Sequence, residues 1–375
     1  MNPLYLDNNA TTPLLPGVLA AMQPYLTGVY GNPASSHGHG RQARRALEDA
    51  REQVASLLGA HPDEVIFTSG ATEGNNLALF GLSGDPPAHL LVSPVEHPSV
   101  LEPAGQLERA GFAVERLPVD GRGVVVPADL LAAARPDTRL VAVMLANHET
   151  GAIQPVAELA AAVGERVLFH CDAVQAAGKL GIDFDALGVA SLTLSAHKFH
   201  GPKGVGALLL RRGVPLRPRA WGGHQQHGRR PGTESVSLAV GLTAALNLAC
   251  LERTVRDEKV RRLRGRFLEQ LRLDAVPVVV NSPPDGLPHT INVSFPPLVG
   301  DVLLMNLDLA GVACSTGSAC SSGSLLPSPV LQAMGIPGDV LRGAMRFSLS
   351  ALLTEADIDE AVDRIAIVVR RLRST

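Results

Sequence analysis

Short apolar runs alternate with amphipathic stretches over the first two-thirds of the chain. EVIFTS, at Glu64 to Ser69, has the length and content of a buried strand. HLLVSPVEHPSVL and LVAVMLANHETG give two more, ending near Glu96 and His97 and at Asn147. Val167 to Cys171 and Ser191 to Ser195 follow, and ALLLRR comes next. Between the strands, RQARRALEDAREQVASLLG sets Ala43, Leu47, Ala50, Val54 and Leu57 at helical spacing and stops at Gly59, which predicts a helix facing the core. GATEGNNLALFGL predicts another helix straight after EVIFTS. This strand, helix, strand cadence predicts an α/β fold with a doubly wound, mainly parallel sheet.

The flanks read differently. YLDNNATTPLLPGVLAAM is an extended segment with Asn8 and Asn9 as turn formers, leading through Pro13 and Pro16 into a helix. From about Leu246 the pattern predicts one long helix, arginine-rich outside and leucine-rich inside, connecting to a second unit. Residues 275–375 mix strands such as TINVSF and MRFSLS with helices, an α+β pattern. The last helix starts with Thr354 and Asp357 in capping-box spacing and ends in Arg370, Arg371 and Arg373, which suit its dipole. A chain of 375 residues is long for one core, so two domains are expected.

Composition narrows the classes. Hydrophobic content of 46% with 18% charged residues describes a globular protein with much to bury, not a disordered chain. A net charge of -3 gives no general attraction to nucleic acid or to an anionic membrane, so neither is expected as a partner. Arginines cluster from Arg211 to Arg230 and from Arg253 to Arg266, a pattern that reads first as solvated faces. No apolar run approaches the roughly 18 residues of a membrane span, and MNPLYLDNNATTP lacks the pattern of a signal peptide, so a cytoplasmic location is expected. Four scattered cysteines without a CxxC pair fit that compartment.

The densest chemistry lies in LFHCDAVQAAGKLGIDFDALGVASLTLSAHKFHGPKGVG. One strand delivers Asp172 at its end, and the next delivers Ser195, His197 and Lys198. Ligands bind outside the carboxyl ends of parallel strands, so a carboxylate and an amine reach one crevice. Pyridoxal phosphate needs both, an amine for its Schiff base and a carboxylate for its ring nitrogen. The chain has only four lysines. Lys259 reads as solvated, Lys179 as the decoration of a helix end, and Lys203 lies in GPKGVG, which lacks the spacing of a nucleotide P-loop. Lys198 remains.

Other residues are open to two readings. The glycine and Thr72 after EVIFTS form either an anion site at a helix start or simple caps. His97 is either structural or placed to stack on a ring or relay a proton. His37 and His39 have no acidic or cysteine partner nearby, which argues against a metal. WGGHQQHGRRPGTESV, with Arg230 and Thr233, is long enough to be functional. Among the cysteines, Cys171 should point into the sheet packing, Cys250 into a helix core, and Cys314 should be buried. Cys320, in GSACSSGS, has small neighbours that leave its sulfur reachable and makes a candidate nucleophile.

These motifs resemble the cysteine desulfurases, class V members of the fold type I pyridoxal phosphate enzymes, and most closely the group with a short cysteine loop used in iron-sulfur cluster assembly. LDNNATTP, GNPASSH, FTSGATEGNN, EHPSV, CDAVQ, SAHKFHGPKG, RRPGTES, INVSF, STGSACSSGS and RFSLS occur in order over nearly the whole length. The fit departs at His148, where the pattern has a second Asn, and at Cys314, where it has an aliphatic or small residue.

The resemblance implies a large cofactor-binding domain over 15–250 and a small α+β domain from 1–14 and 251–375 that carries the cysteine loop. It implies that Lys198 holds the cofactor and moves the Cα proton, that Asp172 pairs with the ring nitrogen and that His97 stacks on the ring. Asn147 and Gln175 would contact the phenolic oxygen. Ala71, Thr72, Ser195 and His197 would hold the phosphate with Thr233 of a second subunit, which makes a homodimer. Arg346 would clamp the carboxylate of L-cysteine. Cys320 would take the sulfur as a persulfide for an acceptor or iron-sulfur scaffold protein, releasing L-alanine. The alternatives are a selenocysteine lyase, a class V aminotransferase that does not use Cys320, and a non-catalytic sulfur-relay scaffold.

Overall fold

The computed structural model describes residues 3–274, 277–317 and 327–374. A short strand, β1 (Leu4–Tyr5), opens the chain. The central sheet follows with β2 (Val65–Thr68), β3 (His89–Val92), β4 (Ala113–Arg116), β5 (Thr138–Ala142), β6 (Leu168–Asp172), β7 (Ser191–Ser195) and β8 (Gly206–Leu210). Across the sheet the order is β2-β8-β7-β6-β5-β3-β4. Every pairing is parallel except those of β8, which runs antiparallel to β2 and β7. The chain thus adopts the expected α/β fold with a mainly parallel, doubly wound sheet.

Alternation along each strand sorts side chains between two apolar layers. Val65, Phe67, Leu91 and Val141 join the layer beneath helices Gly38–Leu57 and Val236–Leu251. Ile66, Leu90, Val92 and Leu140 join the opposite layer, under helices Ala71–Leu82 and Pro98–Arg109. Burying one such side chain fully contributes about 1.5–3 kcal/mol, so the sheet centre is held by packing and its strand ends are left for polar groups. Two strands stop earlier than their apolar runs suggest. β3 ends at Val92 and β5 at Ala142, so His97 and Asn147 arrive on the loops beyond them.

The long helix expected from about Leu246 is instead two helices, Val236–Leu251 and Arg253–Leu273, bent by 70°. Glu252 lies between them with φ -95° and ψ 4°, where the composition switches from apolar to charged. Among the described residues no single helix is long and apolar enough to cross a membrane. Beyond the bend come β9 (Val279–Val280), β10 (Thr290–Ser294), β11 (Val312–Ala313) and β12 (Ala344–Ser348). β12, β10 and β9 form an antiparallel sheet, and β11 pairs in parallel with β1.

A separate apolar cluster packs this second sheet against helices Arg253–Leu273, Gly300–Leu309 and Glu355–Arg373, with the Phe267 and Phe347 rings 5.2 Å apart. Leu4 and Leu6 belong to it as well. The N-terminal strand therefore crosses to the later half of the chain, and Asp7 bridges to Ser348. The capping box of the last helix forms as its spacing predicts, between Thr354 and Asp357.

Candidate active site

Asp172 closes β6 and is buried. Its Oδ2 accepts from Asn75 Nδ2 at 2.7 Å and its Oδ1 from the Val174 amide at 2.9 Å. Asn75 Oδ1 lies 3.0 Å from His170 Nε2, and His170 Nδ1 lies 2.8 Å from Ser191 Oγ. An amide oxygen can only accept, so Nε2 carries the ring proton and Ser191 donates to Nδ1. Burial pushes His170 down to about 3, which keeps the ring neutral. Ser191, His170 and Asn75 thus donate in one direction, each polarising the next, toward Asp172.

A second carboxyl sits close by. Glu96 Oε1 accepts from Ser93 Oγ at 2.7 Å and from the Met144 amide at 2.5 Å. Burial first, and the Asp172 charge second, push Glu96 up to about 8, so it keeps its proton at neutral pH. His97 follows it and caps helix Pro98–Arg109, its Nδ1 accepting from the Ser99 amide at 3.0 Å. Burial lowers His97, with Asp172 opposing and Lys198 adding to the shift. Its ring meets His148 edge to face at 5.4 Å.

Lys198 ends the short turn after β7. Its Nζ donates to the carbonyls of Asn9 at 2.5 Å and Ala10 at 2.9 Å. Gln175 Nε2 donates to the same Asn9 oxygen at 3.0 Å. The N-terminal turn is pinned in return, because Thr12 bonds the His197 carbonyl through its amide and its hydroxyl. Burial, then Lys198, lowers His197 to about 4.

Opposite lies the turn between β2 and helix Ala71–Leu82. Gly70 caps that helix, whose first residues are Ala71 and Thr72, and Ser195 faces the same turn. Two glycines permit the approach: a Cβ on Gly206 would lie 2.9 Å from Gly70 backbone, and one on Gly74 would lie 2.8 Å from Thr193 Cγ2. Free amides at a helix start favour an anion. Glu73 is occupied elsewhere, paired with Arg230 at 2.8 Å. Burial pushes Glu73 up, but bonds from Arg230 and Ser69 outweigh it and hold the group below its usual range.

Arg346, on β12, supplies the remaining wall and is 3% exposed. Its Nη2 donates to Asp7 Oδ1 at 2.8 Å and its Nη1 to the His148 carbonyl at 3.1 Å. Ser315 bridges to Arg346 through backbone bonds, and Gly317 reaches the cavity. Cys320 lies outside the described residues. These walls enclose a cavity of about 600 Å³, within the size range of small-molecule sites.

The structure brings His97, Asp172, Gln175, Ser195, His197, Lys198 and Arg346 to this cavity together with Ala71 and Thr72. Asn147 is behind the wall: its Oδ1 accepts from the Glu149 and Thr150 amides and its Nδ2 donates to the Val95 carbonyl. Thr233 is exposed and does not line the cavity. His37 caps helix Gly38–Leu57, and among the described residues no cluster of His, Cys, Asp and Glu could hold a metal. Cys171 is in the sheet core, Cys250 is half-buried, and burial followed by Asp7 and Asp308 pushes Cys314 up to about 12.

The Aminotransferase class-V family profile matches residues 4–361. The chain belongs to the class-V aminotransferase family. One class-V relative, the cysteine desulfurase IscS of Dictyoglomus turgidum, is 44% identical over 99% of this chain and 95% of its own length. A solved structure of a NifS-like protein superposes with a TM-score of 0.93 at 38% identity, covering 98% of this chain and all of that one. SspA in complex with cysteine gives 0.83 at 35% identity, over 92% of this chain and 98% of its own.

Two lysines of this class-V chain differ from the expectation set by their sequence context. Lys259 is not simply solvated, for its Nζ donates to the Ala351 carbonyl at 2.6 Å. Lys179 does not decorate a helix end: it lies on a turn, and its Nζ donates to Gln175 Oε1 at 3.2 Å. Sequence reasoning also passed over Asn75, His170 and Glu96. The available signal was a polar side chain on an otherwise apolar strand or helix face, which must find a partner when buried.

Proposed function

We propose that this chain is a cysteine desulfurase that uses pyridoxal 5'-phosphate, converts L-cysteine to L-alanine, and carries the sulfur on Cys320. The observation that carries the reading is one cavity bounded by the Lys198 amine, the Asp172 carboxylate, the Arg346 guanidinium and the helix start at Ala71. The donor set fits the cofactor. An amine, a carboxylate and the amides of a helix start line one cavity of about 600 Å³, the chemistry that a ring nitrogen, an aldehyde and a phosphate require.

Asp172 would hold the ring nitrogen's proton, with Asn75 and Val174 fixing its two oxygens. The amides of Ala71 and Thr72, with Ser195 and His197, would take the phosphate. His97 would cover the ring face, while Gln175 serves the phenolic oxygen and Asn147 shapes the loop behind the wall. When bound, pyridoxal phosphate supplies an electron sink for charge developing at the substrate Cα. Arg346 would grip the substrate carboxylate with its planar fork, orienting the Cα hydrogen toward Lys198. Lys198 Nζ would then remove and return that proton. The Cys320 thiolate would attack the substrate sulfur: an S–S bond forms as the Cβ–S bond breaks, its electron pair staying with carbon. Protonation at Cβ and Cα gives alanine, and Cys320 is left as a persulfide.

Exposed Thr233, outside its own cavity wall, supports a homodimer in which it serves the other copy. A protein acceptor for the persulfide and a cytoplasmic setting complete the proposal. The proposed domains are 15–250 around the large sheet, and 1–14 with 251–375 around the small one; the shared cluster of Leu4, Leu6 and Phe347 supports that division. The test is turnover of L-cysteine by holoenzyme under reductant, with alanine and sulfide measured in equal amounts. Cys320→Ala should retain the visible band of the bound cofactor and lose sulfide release by at least about 100-fold. Desulfuration at the parent rate would refute the role of Cys320, and a lack of alanine from L-cysteine, with turnover of selenocysteine, would favour a selenocysteine lyase.

A further inference from the structure

Lys179 follows Gly178, whose φ is +73° and where a Cβ would lie 2.7 Å from the Ala249 Cβ. The turn therefore packs tightly on helix Val236–Leu251, and the lysine runs inward to Gln175. With Lys198, Asp257 and His289 it lines a second, smaller cavity of about 80 Å³.

A glutamine amide has two ends of nearly equal shape, and its neighbours decide which faces which way. A lysine ammonium can only donate, and the neutral amine still keeps N–H donors for an amide oxygen. Lys179 therefore holds Gln175 Oε1 on its own side, and Nε2 is left facing the Asn9 carbonyl, which also accepts from Lys198. Three hydrogen bonds thus connect the two amines through one amide and one carbonyl.

Resting on the functional reading above, in which Gln175 serves the cofactor's phenolic oxygen, we propose that Lys179 is a positioning residue. By anchoring Gln175 Oε1 it keeps the amide hydrogens on the cofactor side, and through them it sets the proton affinity of the Lys198 nitrogen. Burial, followed by the Lys198 charge, brings Lys179 itself down to about 7. Lys198, His197 and His200 face it from the segment after β7, and Arg253, Arg256 and Asp257 from helix Arg253–Leu273. His289 faces it from ahead of β10, neutral because burial lowers it well below its ordinary range. Asp257 is the one acid in that set, and it already accepts from Arg261 at 2.6 Å.

Without Lys179 only the Asn9 carbonyl, already shared with Lys198, still orients the amide, and its oxygen turns toward the phenolic oxygen in a larger share of molecules. A proton retained on the Lys198 nitrogen relieves that repulsion, so its titration moves to higher pH. The experiment records the visible band of the holoenzyme against pH for the parent, Lys179→Met, Lys179→Arg, Gln175→Ala and the Lys179→Met/Gln175→Ala pair. Lys179→Met should raise the midpoint by about one pH unit, Lys179→Arg should restore most of it, and Lys179→Met should add nothing once Gln175 is gone. A midpoint equal to the parent's, or the same shift with and without Gln175, overturns the inference. Lys179→Ala, which likewise removes the donor to Gln175 Oε1, takes the place of the Met variant should that one fail to fold, and the same two outcomes then decide. A parent without a visible band in the presence of pyridoxal 5'-phosphate overturns the functional reading and this inference with it.

Discussion

The two walls of the large cavity are built in opposite ways. The Asp172 wall comes from neighbouring elements of one sheet, with Asn75, His170 and Ser191 bonded in series behind it. The Arg346 wall joins positions at either end of the chain, Asp7 and Asn9 against β12. One wall is fixed by the sheet and its polar network, the other by packing of a second apolar cluster. On the proposed function, the difference separates two tasks: holding a cofactor in one orientation, and gripping a substrate that must enter and leave.

Arg346→Ala tests the second task most severely. The variant should lower kcat/KM for L-cysteine by about 10²–10³, the usual consequence of truncating one member of a buried charge pair. Arg346→Lys should recover little, since it keeps the charge without the fork. Steady-state alanine formation measures both, and unchanged cofactor affinity would confirm that this wall serves substrate alone. Asn75→Ala probes the first wall. It strips a partner from Asp172 and His170, so urea unfolding should show a loss of about 1–3 kcal/mol, and the cofactor dissociation constant should rise about tenfold. Parent-like cofactor affinity would mean that the donor series does not stiffen Asp172.

The smallest effect concerns pH. His170 is held at about 3 by burial, below its ordinary value of 6.5. Between those values the unfolded chain takes a proton that the folded chain refuses, so this residue's contribution to stability is complete above about pH 6.5 and declines as pH falls. His170→Gln should reduce the slope of unfolding free energy against pH in that window by about 1.4 kcal/mol per pH unit. Urea titrations at several pH values would measure it, and an unchanged slope would place the acid sensitivity in other buried histidines.

The readable parts of this site are those that packing delivers. Apolar runs end at Asp172 and in the turn to Lys198, so those two follow from strand periodicity and the crevice rule. Asn75 was hidden because a polar residue in a helix normally marks the wet face, whereas both faces of this sheet are covered. Lys179 was misread because AVQAAGK resembles a helix end, while Gly178 makes a turn that sends the lysine inward. The bend at Glu252 escaped notice because both sides of it have helical composition. Arg346 came from resemblance alone: nothing local in RFSLS says that its partner is Asp7, 339 positions away.

That last separation bears on biosynthesis. The turn holding Asp7, Asn9 and Ala10 leaves the ribosome well before its guanidinium partner, which is translated 339 positions later. A growing chain can assemble its large sheet domain by domain, but it cannot finish the site until β12 has emerged. On the proposed reading, the grip on the substrate carboxylate is therefore among the later features of the site to form.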